Sequence, residues 1–146
     1  MRSFTDTEGR AWTFEMTYGS YRRLRAQNFD ASKVETWESL ATDPDVLATV
    51  LNEICGEQMR ERGLSQDDFE AAFDLEVAEA AIGEVIEAII DFFPKQRQKT
   101  LRTLWEKVNA RAERLLEKTT NEASTLLASN EINEQIDTLL TNQLSG

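Results

Sequence analysis

The sequence contains no histidine, one cysteine and two prolines in 146 residues. Without histidine the chain cannot build a histidine-based nucleophile relay or the common zinc sites that use imidazole ligands. Its single cysteine, Cys55, has no second cysteine in the chain with which to form a disulfide. These absences exclude several enzyme classes, and we expect a protein with no catalytic residue, no bound metal and no cofactor.

Long hydrophobic runs and positive charge are also scarce. No apolar stretch approaches the roughly 20 residues that cross a bilayer, and the opening residues, Met1–Asp6, contain no signal-peptide core. Lys and Arg number 16 against 27 Asp and Glu, which gives a net charge of −11. Because contacts to nucleic-acid phosphates need a basic surface, we expect no direct binding to nucleic acid. From the lack of an apolar run or signal-peptide core, we expect a cytoplasmic protein that does not bind membranes.

The charge that is present is segregated along the chain. Residues 35–93 contain 16 Asp and Glu but only two Arg, whereas residues 94–118 contain eight Lys and Arg but only three Glu. The change of sign falls at Pro94, which lacks an amide hydrogen and disfavours the helical conformation in Phe93. An acidic helix is therefore predicted to end at this point and a basic helix to begin.

The N-terminal residues favour a β-hairpin. Two short apolar segments flank Asp6–Arg10, in which Gly9 can adopt the positive φ of a tight turn. Alternation places Trp12, Phe14 and Met16 on one face of the second strand. A lone hairpin is marginal in water, so we expect the following helices to cover this face.

Helical spacing of apolar residues continues from the hairpin to Pro94. The clearest start signal is Asp43 as N-cap followed by Pro44 at the first helical position, and Gly63 is a natural C-terminal cap. Ser65 offers another N-cap. The predicted segments are a helix over Tyr18–Gln27, a short helical turn at Trp37–Leu40, and helices over Pro44–Arg62, Ser65–Phe73 and Leu75–Phe93.

The prediction is therefore a mainly α fold, with a short N-terminal β-hairpin packed on a bundle of about five helices, a long basic helix and an amphipathic C-terminal helix. Residues 1–118 are predicted to form the domain. Residues 119–146 are predicted to be a helical extension, whose stripe over Ile132–Leu140 is flanked by poor helix formers and orders on contact with a partner.

Several residue types have both a structural and a functional interpretation. Carboxylate pairs such as Asp67 with Glu70 arise by chance in an acidic helical chain, so a solvated surface is favoured over catalysis or metal binding. Cys55 is interpreted as a small core residue, and the three tryptophans as the hydrophobic centre. For the basic helix and the C-terminal stripe, a docking role and a purely structural role both stay open.

Five short segments, taken in this order, resemble the tail assembly chaperones of long-tailed phages and prophages. They are Ser3–Asp6, Gly9–Thr13, Asp43–Leu47, Ser65–Phe69 and Asp91–Pro94. The resemblance covers roughly residues 2–105. It implies a non-enzymatic protein of the bacterial host cytoplasm that coats the apolar helices of a tape-measure protein until tube subunits polymerise round it.

If the resemblance holds, the expected partners are a tape-measure protein, a tail tube protein or both, with self-association a further possibility. A contact surface is then expected where the end of the acidic helix meets the basic helix, with the C-terminal stripe as a second contact. The predicted partner-binding residues are Ile86, Ile90, Phe93, Leu101, Leu104, Trp105, Val108, Ile132, Ile136, Leu139 and Leu140.

Two alternative functions come from other classes of protein. The dense negative charge of residues 35–93 would suit an acidic regulatory module that mimics nucleic acid and binds a basic partner protein. A structural component of the tail is the other alternative. Salt sensitivity of the complex and the composition of purified particles distinguish these functions from that of a chaperone.

Overall fold

The computed structural model describes residues 1–111, 113–114, 117–118 and 121–122. The chain divides into one unit spanning Met1–Val108 and a second that begins at Asn109. In chain order the elements are β1 (Arg2–Thr5), β2 (Ala11–Phe14), α1 (Tyr18–Ala26), α2 (Val34–Thr42), α3 (Pro44–Glu61), α4 (Gln66–Ala71), α5 (Leu75–Phe92) and α6 (residues 95–111).

The predicted fold class is confirmed, because the described chain is mainly helical and opens with a two-stranded antiparallel hairpin that packs on the helices. The predicted helix over Ile132–Leu140 lies outside the described residues. The predicted domain boundary at residue 118 stays a prediction.

The hairpin forms as its sequence predicts. Its register pairs Phe4 with Trp12 and Arg2 with Phe14, so the buried rings of both strands lie on one face. Gly9 has φ +79°, the left-handed conformation that a glycine adopts without steric cost. β1 packs against α5 and β2 against α3, so the helices cover the apolar face as expected.

Local capping explains where most helices begin. The side chain of Asp43 accepts a hydrogen bond from the amide of Asp45 at 2.9 Å, with Pro44 in the first turn of α3. Ser65 and Asp68 form a reciprocal capping box at the start of α4. Each of these starts was predicted, and both are confirmed.

Helix α2 is longer than the short turn that the sequence predicts. It spans nine residues, although its N-cap, Lys33, supplies no side-chain hydrogen bond. The Thr36 hydroxyl instead donates to the carbonyl of Asp30 at 2.6 Å, and the Trp37 indole donates to the carbonyl of Ala31 at 2.9 Å. Tertiary burial of Trp37 therefore fixes this helix, which is why a search for capping signals underestimates its length.

The predicted boundary at Pro94 is also confirmed. α5 ends at Phe92, and Phe93 takes the extended conformation, with φ −82° and ψ 156°, that a residue before proline prefers. α6 then begins at residue 95 and lays Leu101 and Trp105 against the core. The Trp105 ring lies 6.0 Å from that of Trp37, while Trp12 and Trp37 are fully buried, so the core interpretation of the tryptophans is confirmed.

Candidate functional site

An apolar groove opens on the surface where α3, α4 and the beginning of α5 meet. Its volume is about 390 Å³. Eight of its eleven lining residues are apolar and the other three are Gln66, Glu70 and Asp74. The apolar lining residues are Pro44, Leu47, Ala48, Leu51, Phe69, Phe73, Leu75 and Ala78.

Two helices contribute one face each to this groove. The α3 face places Pro44, Leu47 and Leu51 along its first two turns. The α4 face continues this surface with Gln66, Phe69 and Glu70, and Phe73 follows in the segment after the helix. Both sets follow the spacing of three and four residues that aligns side chains on one side of a helix. The groove is therefore built by regular helical geometry.

The groove has a buried floor and an exposed apolar lip. Phe69 on the floor is 1% exposed, and its ring packs edge-on against that of Trp12 with centroids 4.8 Å apart. Leu75 on the lip is 85% exposed, because it follows the N-cap Asp74 and precedes the part of α5 that enters the core. An exposed leucine beside an apolar depression is characteristic of a contact surface for another molecule.

The rim of the groove is acidic. Residues 43–51 and 66–79, the segments that build it, contain eight carboxylates and no lysine or arginine. All eight carboxylate residues are exposed. They are Asp43, Asp45, Asp67, Asp68, Glu70, Asp74, Glu76 and Glu79.

Among the described residues these carboxylates carry no ion pair, a property that they share with other exposed acidic residues such as Glu15 and Glu57. Within the part of the chain that the structure describes, none of the eight forms an ion pair with a lysine or arginine. Asp6, Asp30, Glu53, Glu87 and Asp91 each do so, and all five lie outside the groove segments. Glu70 and Asp74, the two carboxylates that line the groove, therefore have no ion-pair partner among the described residues, whereas Asp68 lies within electrostatic reach of Arg10.

Hydrogen bonds within the rim hold several of its side chains in place. The Gln66 amide donates to Glu70 Oε1 at 3.0 Å, and the Val77 amide donates to Asp74 Oδ1 at 2.8 Å. The Ser65 backbone N–H donates to Asp68 Oδ2 at 3.1 Å and holds the pKa of that carboxyl below its usual value. Ionised carboxylates with one such bond each retain further acceptor sites for a ligand.

The residues predicted to bind a partner do not form one exposed surface in the described part of the chain. Ile86 and Ile90 are 1% and 0% exposed, because this face of α5 packs within the core. They are therefore inaccessible to a partner in this conformation. Phe93, Leu101, Trp105 and Val108 are half-buried, and Leu104 is 44% exposed. Ile132, Ile136, Leu139 and Leu140 lie outside the described residues.

The basic helix α6 is paired with the acidic helix of its own chain. Arg102 donates a hydrogen bond to Glu87 on α5, and Glu87 also lies 3.5 Å from Arg2. Arg2 in turn binds Asp91 through two hydrogen bonds of 2.8 and 3.1 Å. This arrangement fits the expectation that the basic stripe complements the acidic helices, here within one chain.

Chemically reactive groupings are sparse in the described part of the molecule. Among the residues that the structure describes, no group of three or more His, Cys, Asp or Glu side chains is placed to hold a metal ion. Cys55 is fully buried, and this burial raises the pKa of its thiol to about 12. No described helix combines the length and the hydropathy of a bilayer-spanning segment.

The groove was not predicted, although the sequence carries two signals for it. Gln66, Phe69, Glu70 and Phe73 would lie on one face of the predicted helix Ser65–Phe73, and Leu75 is an apolar residue directly after an N-cap. The remaining information, which is the placement of α3 beside α4, depends on tertiary packing.

No family model, curated protein or solved structure matches the chain.

Proposed function

We propose that this chain is a non-enzymatic binding protein of the tail assembly chaperone type. It shields apolar helices of a tape-measure protein in the bacterial host cytoplasm, before the tail tube protein polymerises round them. The observation that supports this most directly is the open apolar groove with an acidic rim and a lip residue, Leu75, that is 85% exposed.

The dimensions and chemistry of the groove suit a helical ligand. An α-helix is about 10–12 Å wide, so a groove of about 390 Å³ accepts a few side chains from one face and leaves the rest of the helix outside. Burying apolar side chains supplies most of the affinity in such helix-in-groove contacts. The exposed carboxylates of the rim would keep the resulting complex soluble.

A chaperone must also release its client. One shallow groove buries little area, so each contact is weak, and many copies along a long client can together bind it firmly. Growing tube protein could then displace the copies one at a time. Neither step requires covalent chemistry.

Co-expression tests the proposal. The tape-measure protein of the genome that encodes this chain should become more soluble when the two are expressed together, and the two should co-purify. Leu75→Ser should weaken this association, because it removes an apolar contact from the lip without disturbing the core. Leu104→Ser is the matched control, since Leu104 is exposed but lies outside the groove.

Three results would contradict the proposal. The first is a genome with no tape-measure gene, and the second is a pair of proteins that never associate. The third is a stoichiometric copy of this chain in purified particles, which would identify a structural tail component. If Leu104→Ser weakens binding and Leu75→Ser does not, the contact lies on α6 and the groove is not the site.

The eight carboxylates of the groove segments also favour a second candidate, a mimic of nucleic acid that binds a basic protein. Contacts of that kind are almost wholly electrostatic. A complex that dissociates completely at moderate salt, and whose affinity is unchanged by Leu75→Ser, would support the mimic over the chaperone.

A further inference from the structure

We infer that the groove selects helices that carry lysine or arginine beside their apolar anchors. This inference rests on the proposed function and adds a chemical requirement to it. The combination that points to this partner is an apolar groove whose two charged lining residues, Glu70 and Asp74, are both acidic and both lack an ion-pair partner among the described residues.

The segments that build the groove contain acidic residues but no lysine or arginine. Five carboxylates outside the groove are paired with arginines, including Glu87 and Asp91 beside Arg2. The groove segments hold eight carboxylates and no cation. Charge of a single sign round an apolar depression favours a ligand of opposite sign and disfavours an acidic one.

Hydrogen bonds hold the two carboxylates that line the groove in place. Glu70 is held by Gln66 on α4, and Asp74 is held by the Val77 amide at the start of α5. Each is thereby fixed with acceptor capacity to spare. A lysine or arginine on the ligand can lay its aliphatic stem along Leu75 and place its cationic end at the rim.

The apolar lining of the groove supplies affinity that charge alone would not. Exposed ion pairs are individually weak, so charge alone would not hold a client at physiological salt. Phe73, Leu75 and Ala78, which are exposed or half-buried, offer the apolar contacts that supply affinity, while the rim discriminates among apolar helices. The predicted ligand therefore needs both features on one helix face.

Three synthetic helical peptides of about 18 residues test the requirement. The first combines a leucine stripe with flanking lysines, the second has the same stripe with glutamines, and the third keeps the lysines but replaces the leucines with serines. Binding is measured by fluorescence anisotropy. We expect the first peptide to bind about tenfold more tightly than the second, with a difference that shrinks as salt is added, and the third to bind hardly at all.

Variants of the protein test whether Glu70 and Asp74 are the groups that select the lysine peptide. Glu70→Gln combined with Asp74→Asn removes both charges and keeps a capping side chain at the start of α5. This variant should bind the lysine and glutamine peptides with equal affinity. Glu15→Gln, an exposed carboxylate outside the groove, is the control and should behave like the unchanged protein.

The outcomes separate the inference from the function on which it rests. If the lysine and glutamine peptides bind equally to the unchanged protein and Leu75→Ser weakens both, the groove binds helices without selecting charge and the inference is overturned. If neither leucine peptide binds, the proposed function fails as well. If the serine peptide binds as tightly as the first, charge alone drives association and the inference is overturned in favour of the acidic mimic.

Discussion

The indole N–H of Trp12 donates a hydrogen bond to Oδ2 of Asp6 at 2.9 Å, and both side chains are withdrawn from solvent. The same carboxylate accepts hydrogen bonds from the amides of Glu8 and Arg10 and from Arg10 Nε. Trp12 packs on Phe69, which forms the floor of the groove. The hairpin turn is thus linked to the candidate site through one tryptophan.

Replacing Asp6 by asparagine should destabilise the fold by about 2 kcal/mol at pH 7, because an amide cannot accept all four hydrogen bonds with a full negative charge. Urea denaturation followed by circular dichroism measures this change. Thr5→Ser, an exposed position on the same hairpin, is the control and should alter stability by less than about 0.5 kcal/mol. An unchanged midpoint for Asp6→Asn would contradict the role assigned to the carboxylate.

The Asp6 contribution should also depend on pH. Burial alone would raise the pKa of Asp6, but hydrogen bonds from Trp12 and Arg10 outweigh it, so the pKa lies below its ordinary value. The unfolded chain therefore binds a proton before the folded one as the pH falls. The stability difference between the unchanged protein and Asp6→Asn should be full above about pH 5 and should shrink as the pH drops through the folded pKa. A difference that grows in acid would reverse the assigned sign.

The contact between Trp105 and Trp37 should hold α6 on the core. Trp105→Ala removes a half-buried ring and should lower the free energy of unfolding by about 2 kcal/mol, with loss of near-ultraviolet circular dichroism from the tryptophan pair. Leu104→Ala, one residue earlier and 44% exposed, should change stability by less than about 0.5 kcal/mol. Equal effects from the two variants would show that α6 does not pack through Trp105.

The Cys55 thiol should be inert until the protein unfolds. It is fully buried, and desolvation raises its pKa to about 12, so almost none of it is thiolate near neutral pH. Labelling with an aromatic disulfide reagent at pH 8 should be about a hundredfold or more slower in the native protein than in urea. Because the chain has one cysteine, the signal reports this site alone. Rapid labelling of the native protein would contradict the buried position.

The Arg2–Asp91 pair should orient β1 against α5 and add little to the free energy of unfolding. Its two hydrogen bonds join β1 to α5, but the side chains are 34% and 44% exposed. A double-mutant cycle with Arg2→Gln and Asp91→Asn should give a coupling energy of about 1 kcal/mol or less, which falls further in about 1 M salt. A larger coupling energy that resists salt would indicate that the pair is effectively buried.

Local signals in the sequence accounted for most element boundaries. Asp43 with Pro44, Gly9, Ser65 and Pro94 each act through backbone geometry or a nearby hydrogen bond, so one residue and its neighbours suffice to predict them. α2 was underestimated because its stability comes from the burial of Trp37, which no local pattern records.

The candidate site was harder to predict because periodicity identifies an apolar face but not its neighbour. Ile86 and Ile90 have the spacing of a contact surface, and the fold itself occupies that surface. Pro44 and Ala48 on α3 instead stay exposed or half-buried in an open groove, because α4 leaves room beside α3. Which stripe is left open depends on helix packing between distant segments of the chain, and the sequence pattern does not contain that information.

The single sign of charge round the groove has a consequence for free copies of the protein. Two molecules that met groove to groove would bring together Glu70 and Asp74 of each copy, which have no ion-pair partner among the described residues. Their mutual repulsion opposes this symmetric pairing and is strongest at low ionic strength. This repulsion disfavours self-association through the exposed Leu75. The apolar groove therefore stays available to a ligand of opposite charge.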